Sequence, residues 1–69
     1  MKKFKISYFG YNAYTGKHEV SIYENIYFGG YSIYVDDTFW TDIDALYEFE
    51  DELSEIEGYY NCKFSFLGF

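Results

Sequence analysis

At Thr41 the hydrophobic rhythm of this chain changes from a repeat of two to a repeat between three and four, and that switch constrains the architecture more than any other feature. Upstream, Phe4, Ile6 and Tyr8 alternate with Lys5, Ser7 and Phe9, the signature of a half-buried strand. Turn formers gather from Asn12 to Lys17, and a second strand follows from His18, with Val20, Ile22, Ile26 and Phe28 on one parity and Ser21, Tyr23, Asn25 and Tyr27 on the other. Glu24 breaks the apolar parity and marks a bulge or bend. Gly29-Gly30 predicts a two-residue type I′ turn, which pairs Ile26 with Ile33 and Phe28 with Tyr31.

Downstream of Thr41 the spacing predicts a helix over Asp42–Glu57, capped by the Thr41 hydroxyl and stopped at Gly58. Ile43, Leu46, Phe49, Leu53 and Ile56 form its apolar stripe. Alternation returns over Asn61–Leu67, with Cys62, Phe64 and Phe66 on one side. The expected fold is a single α+β domain over residues 1–69 of order β-β-β-α-β. It is an antiparallel three-stranded meander with a C-terminal strand set parallel beside the first, and one acidic helix on one face of the sheet.

A chain of 69 residues buries only about 60% of its unfolded surface, so its core must be efficient. Ten Tyr, eight Phe and one Trp supply large apolar area for that purpose and exclude a disordered acidic tail. Cys62 is the only cysteine, so no intramolecular disulfide forms and a reducing cytosol is the expected compartment. After Met1-Lys2-Lys3 the alternation leaves no long apolar run. Neither a secretory signal nor a membrane span is expected, and the protein is read as soluble and cytoplasmic.

Charge is segregated along the chain. Residues 1–40 carry Lys2, Lys3, Lys5 and Lys17 against Glu19, Glu24, Asp36 and Asp37; residues 41–69 set Lys63 against eight acids, so the whole net charge of -7 resides there. A field of that sign repels nucleic acid and anionic lipid and attracts basic surfaces. On the predicted helix Asp44, Glu48, Asp51 and Glu55 fall on one line with Glu52 beside them, each about 5–6 Å along the axis from the next, near the spacing of phosphates on a strand. Asp36, Asp37 and Asp42 extend the field. An acidic outward face commonly serves solubility, but a surface tuned only for that mixes signs, and this one excludes cations.

A second candidate surface is the uncovered sheet face, where Tyr23, Tyr27 and Tyr34 are expected to emerge and contribute apolar area with polar tips. Stacking of unpaired bases there is disfavoured, since the chain has no Arg and carries net negative charge. The acids from Asp36 to Asp44 lack an EF-hand pattern, although a divalent ion in that loop is a third option. His18 and Cys62 are the only residues of their kinds, which gives no basis for a zinc site or a thiol–imidazole pair. No cofactor, metal or catalytic residue is assigned, and no enzyme activity is expected.

In physical character alone, the chain resembles the DNA-mimic inhibitors that phages and mobile elements direct against restriction, CRISPR or repair proteins. The expected function is therefore that of a small acidic inhibitor. It would occupy the basic nucleic-acid-binding surface of a host protein through Asp36, Asp37, Asp42, Asp44, Glu48, Asp51, Glu52 and Glu55, with Tyr23, Tyr27 and Tyr34 adding contact area. The alternative is a structural module that self-associates, as a homodimer, through its tyrosine-rich sheet face.

Overall fold

A computed structural model describes residues 2–68, with side chains described from Ile6 to Leu67. Strands β1 (Lys2–Asn12), β2 (Gly16–Asn25), β3 (Tyr31–Val35) and β4 (Thr38–Ile43) form an up-and-down meander. A short 3₁₀ turn (Leu46–Glu48) leads into helix α1 (Phe49–Tyr60), and β5 (Phe64–Gly68) closes the chain. The sheet is antiparallel in every pairing, in the order β4-β3-β2-β1-β5, with α1 packed on one face. The α+β class, the meander, the acidic helix and the place of the last strand beside the first all agree with the sequence reading.

The structure adds one strand. Thr38–Ile43, whose second half reads as a helix start, is β4. A fourth meander strand reverses the direction in which the chain leaves the sheet, so α1 returns it to the opposite end and β5 runs antiparallel to β1 rather than parallel. The type I′ turn also sits elsewhere. Asp36 (φ 52°) and Asp37 (φ 67°) make the two-residue connection from β3 to β4. Gly29-Gly30 instead closes a longer loop from Ile26 to Gly30, in which the Asn25 side-chain oxygen accepts from the amides of Tyr27 (3.1 Å) and Phe28 (3.0 Å).

The longer loop slips the β2–β3 register by four residues, so Ile33 faces Ile22 rather than Ile26. An even slip preserves parity, and the apolar faces still coincide. The core is Val20, Ile22, Ile33, Val35 and Ile43 from the sheet, Phe49 and Ile56 from the helix, and Phe64 from β5, with Ile6, Tyr8, Tyr31, Trp40, Leu53, Tyr60 and Cys62 packed around it. Ile26, drawn into the loop, is exposed, as are Leu46 in the 3₁₀ turn and Phe66 on the edge strand; these three leave the expected core. Phe4 lies outside the residues whose side chains are described. Trp40 is the extra residue of a bulge between Ile33 and Tyr34 of the partner strand; it packs against the core and donates its indole N–H to Glu52 at 3.1 Å.

Two glycines are required by close approach. A Cβ on Gly10 would lie 2.7 Å from the Lys63 carbonyl oxygen and 2.9 Å from the Phe64 ring, which packs over it across the β1–β5 pair. Gly30 combines a φ of 72° with contact against the Ile43 carbonyl, fixing the β2–β3 loop to the end of β4. Because Lys63 must yield backbone rather than a flexible side-chain tip, Gly10→Ala is expected to lower the unfolding free energy by about 1–3 kcal/mol. Urea denaturation measures it, and an unchanged midpoint would refute this account of β5 docking.

Candidate protein-binding surface

The acids divide into those that hold the fold and those that face water. Glu48 precedes α1 and is half-buried, its carboxylate accepting from the backbone amides of Asp44 (3.1 Å) and Ala45 (3.0 Å). Thr41, the expected cap, is on β4. Glu52 receives the Trp40 indole, and Glu57 accepts from the Phe64 amide at 2.9 Å with Lys63 at 3.8 Å. Asp42, on β4, accepts from the Ser32 hydroxyl at 2.6 Å. Asp36 and Asp37 occupy the β3–β4 turn, at the opposite end of β4 from Asp42 and Asp44, so the strand separates the acids that a metal loop would have to gather.

The predicted ladder is therefore shorter than its spacing implies. Asp44 lies ahead of the helix and Glu48 is committed to the cap, which leaves Glu50, Asp51 and Glu55 on the outward face of α1 with Asp44 exposed before them. Glu50 belongs to this surface although the spacing argument passes over it. Three acids in the first turn of α1 lie at the positive end of its dipole, which favours them there. Tyr47, 82% exposed, and Tyr59, 74% exposed, stand before and after the acids along the chain.

At the opposite end of the molecule a polar clamp joins the turns that lie on either side of β2 and β3. The buried imidazole of His18 bonds Asp36 Oδ2 through Nδ1 at 2.7 Å and the Thr15 hydroxyl through Nε2 at 2.7 Å, and its ring packs on Tyr60 at 4.7 Å. In the neutral ring, acceptance by the Asp36 carboxylate makes Nδ1 the donor and leaves Nε2 to accept from Thr15. Asp36 Oδ1 accepts from the Glu19 amide at 2.8 Å, so both of its oxygens are engaged. Hydroxyl, imidazole and carboxylate follow the order of a hydrolase triad. Acyl transfer also needs donors for an oxyanion, and here the Tyr14 and Thr15 amides point at Asn12 Oδ1 instead, at 2.7 and 3.0 Å. The constellation is built as a clamp. Neither the period-two nor the helical pattern of the sequence signals it, because Asp36 lies 18 residues from His18, in a different turn.

Along the last turns of α1 and the residues that follow it, a shallow cavity of about 480 Å³ is lined by Ser54, Glu57, Gly58, Asn61, Cys62 and Lys63. Burial, followed by the charges of Glu57 and Asp36, raises the Cys62 thiol above its ordinary 9.0, which suppresses the thiolate. Among the described residues no three His, Cys, Asp or Glu side chains come together as a metal site, and no helix is long and apolar enough to cross a membrane.

On the sheet face away from α1, Tyr23 and Tyr34 meet edge to face at 5.6 Å, and Phe39 adds a third ring 5.7 Å from Tyr34. Tyr27, expected on that strand face, belongs to the β2–β3 loop. Lys17 lies 4.1 Å over the Phe9 ring. Comparison with protein-family models, curated proteins and solved structures finds no match for the chain. The functional reading rests on charge and geometry.

Two outcomes test the clamp. Asp36→Ala strands the imidazole and the Glu19 amide, and is expected to cost about 1–3 kcal/mol in chemical denaturation, with Thr15→Val costing less. Burial, then Asp36 and Tyr59, raises the Tyr60 phenol above its ordinary 10.0. With Tyr60 and Cys62 both raised, the unfolded chain loses these protons first. Stability is therefore retained below the unfolded-state values and lost as pH climbs through them toward the folded ones. Unfolding followed from neutral to strongly alkaline pH should show that loss, and a Tyr60→Phe/Cys62→Ala double variant should flatten it.

Proposed function

We propose that this protein is a small acidic inhibitor that binds a basic, nucleic-acid-binding protein and occupies the surface meant for phosphates, acting in the cytoplasm of a host cell as a DNA mimic of anti-restriction or anti-CRISPR type. The observation that carries the reading is the outward face of α1. Glu50, Asp51 and Glu55 are exposed there, and among the described residues no cation pairs with any of them. The described lysines are engaged elsewhere, Lys17 over Phe9 and Lys63 beside Glu57.

Asp51 and Glu55 rise by about 6 Å on one line, and Asp44 continues the negative field past the helix start. Like charges four residues apart cost a helix a few tenths of a kcal/mol. A face that keeps that cost without an intervening Lys is suited to offering its carboxylates to an opposing cationic surface. Exposed Tyr47 and Tyr59 add the amphipathic rings that concentrate binding energy in protein interfaces. Binding of this kind calls for no turnover and no cofactor.

The test is capture from a lysate of a bacterial host on immobilised wild type beside a Glu50→Lys/Asp51→Lys/Glu55→Lys variant, which spares the capping Glu48. Wild type is expected to retain a nucleic-acid-binding enzyme that salt and competing duplex DNA release, and the variant to lose it while folding at least as stably. Equal retention by both, or a retained protein that still binds its nucleic acid at full strength, would overturn the reading.

A further inference from the structure

The β2–β3 loop presents three large apolar residues to water in succession: Ile26 at 44%, Tyr27 at 71% and Phe28 at 90% exposure. The turn itself does not require them. It is closed by Asn25, whose side chain holds the Tyr27 and Phe28 amides and whose backbone bonds Gly29 and Gly30 at 3.0 Å each. The rings are thus carried on an ordered frame, and they border a shallow cavity of about 220 Å³ on the sheet face away from α1.

That cavity is walled by Tyr23, Tyr27, Phe28 and Tyr34, with Glu24, Asn25 and Ser32 completing its lining. Tyr23 and Tyr34 stand nearly perpendicular, at 83°, and so form a corner rather than a stack. Ser32 donates to Asp42, which brings a carboxylate to the rim. Aromatic faces carry negative quadrupole potential, and rings set around a space beside a carboxylate favour a cation over a neutral ligand of the same shape. The volume falls below the roughly 300–1,000 Å³ of small-molecule pockets, which suits one head group. We propose that Tyr23, Tyr27, Phe28 and Tyr34, with the Asp42 carboxylate at the rim, form an aromatic cage for an ammonium head group, a lysine side chain of the basic partner in its free or methylated form. This rests on the reading that the partner is a basic protein and names a second contact with it.

The cage is tested on the whole chain by amide NMR at constant ionic strength, with choline, its neutral isostere 3,3-dimethylbutan-1-ol, and acetylated Gly-Lys-Gly amide, unmodified and ε-trimethylated, as probes. Choline is expected to move the amides of Tyr23, Glu24, Tyr27, Phe28 and Tyr34 saturably and to bind about five- to ten-fold tighter than the isostere. At least one tripeptide should bind the same amides as tightly as choline. Phe28→Leu and Asp42→Asn, both at exposed sites outside the core, should weaken choline and not the alcohol. Equal affinity for alcohol and choline, or choline shifts confined to residues 44–57, would overturn the cage, and choline binding with neither tripeptide bound would overturn the lysine assignment. The Glu50→Lys/Asp51→Lys/Glu55→Lys variant should bind choline as wild type does. Partner capture lost in that variant with the cage intact supports both readings, capture unchanged in it with the cage intact counts against the helix reading alone, and a failed cage beside charge-dependent capture counts against the cage alone.

Discussion

The arrangement of helix and sheet depends first on the side chain of Asn12. It is 8% exposed, and its amide nitrogen donates to the carbonyls of Tyr60 (3.1 Å) and Asn61 (3.0 Å) at the end of α1 while its oxygen accepts from the Tyr14 and Thr15 amides of the first turn. A helix leaves its last carbonyls without internal partners, and α1 has no basic residue in its last turn to meet them. The chain also reverses there through Asn61 at φ 54°, with the Cys62 amide returning to the Glu57 carbonyl. One buried amide therefore satisfies a helix end and a hairpin turn together. The His18 clamp extends the same junction to the β3–β4 turn through Asp36.

Fastening α1 at its far end explains how its outward face can remain so acidic. Attachment comes from Phe49, Leu53 and Ile56 against the sheet, from Asn12 at the C-terminus and from Glu48 at the start, none of which uses the outward carboxylates. Glu57, the acid least suited to the negative end of the dipole, is neutralised in effect by the Phe64 amide and Lys63. Among the described residues no ion pair holds Glu50, Asp51 or Glu55, so their pattern answers to what they meet in solution. This is a stronger ground for a binding role than their number.

Much of this was legible from residue order. Alternation through Ile6, Tyr8, Val20, Ile22, Ile33 and Val35 revealed the core face of the sheet even though the β2–β3 register slipped, because period-two patterning is blind to an even shift. Phe49, Leu53 and Ile56 revealed the helix. What escaped was local punctuation. Thr41-Asp42 imitates a cap followed by a first-turn acid, yet β3 offered an open edge and Trp40 a side chain for the core, so the segment pairs as a strand. Asp36-Asp37 adopts the left-handed turn expected of Gly29-Gly30, since Asp tolerates that conformation when its carboxylate is held, here by His18 and the Glu19 amide. Asn61 rather than Gly58 ends the helix, because Tyr60 still has a place beside the core. The Asn12 junction was invisible for a different reason: Asn12 and Tyr60 are 48 residues apart and share no period.

These displacements give the molecule two unlike ends. The end of Asn12, His18 and Asp36 is saturated with internal hydrogen bonds, whereas the other gathers the β2–β3 loop, the end of β4 and the start of α1. Gly30 sits against the Ile43 carbonyl and the Asp44 backbone, so the exposed rings of Tyr27 and Phe28 and the first free carboxylates are anchored to the same few residues. The cavity and the outward face of α1 nevertheless lie on opposite sides of the sheet. A partner that engages both must wrap this end, past Asp44 and Tyr47, rather than dock flat on either face. A DNA mimic acting through charge alone would need only α1. The placement of an ordered aromatic loop at the start of the acidic segment is what a surface requires when it must select one basic protein among many, since field strength attracts every cationic surface and shape discriminates among them.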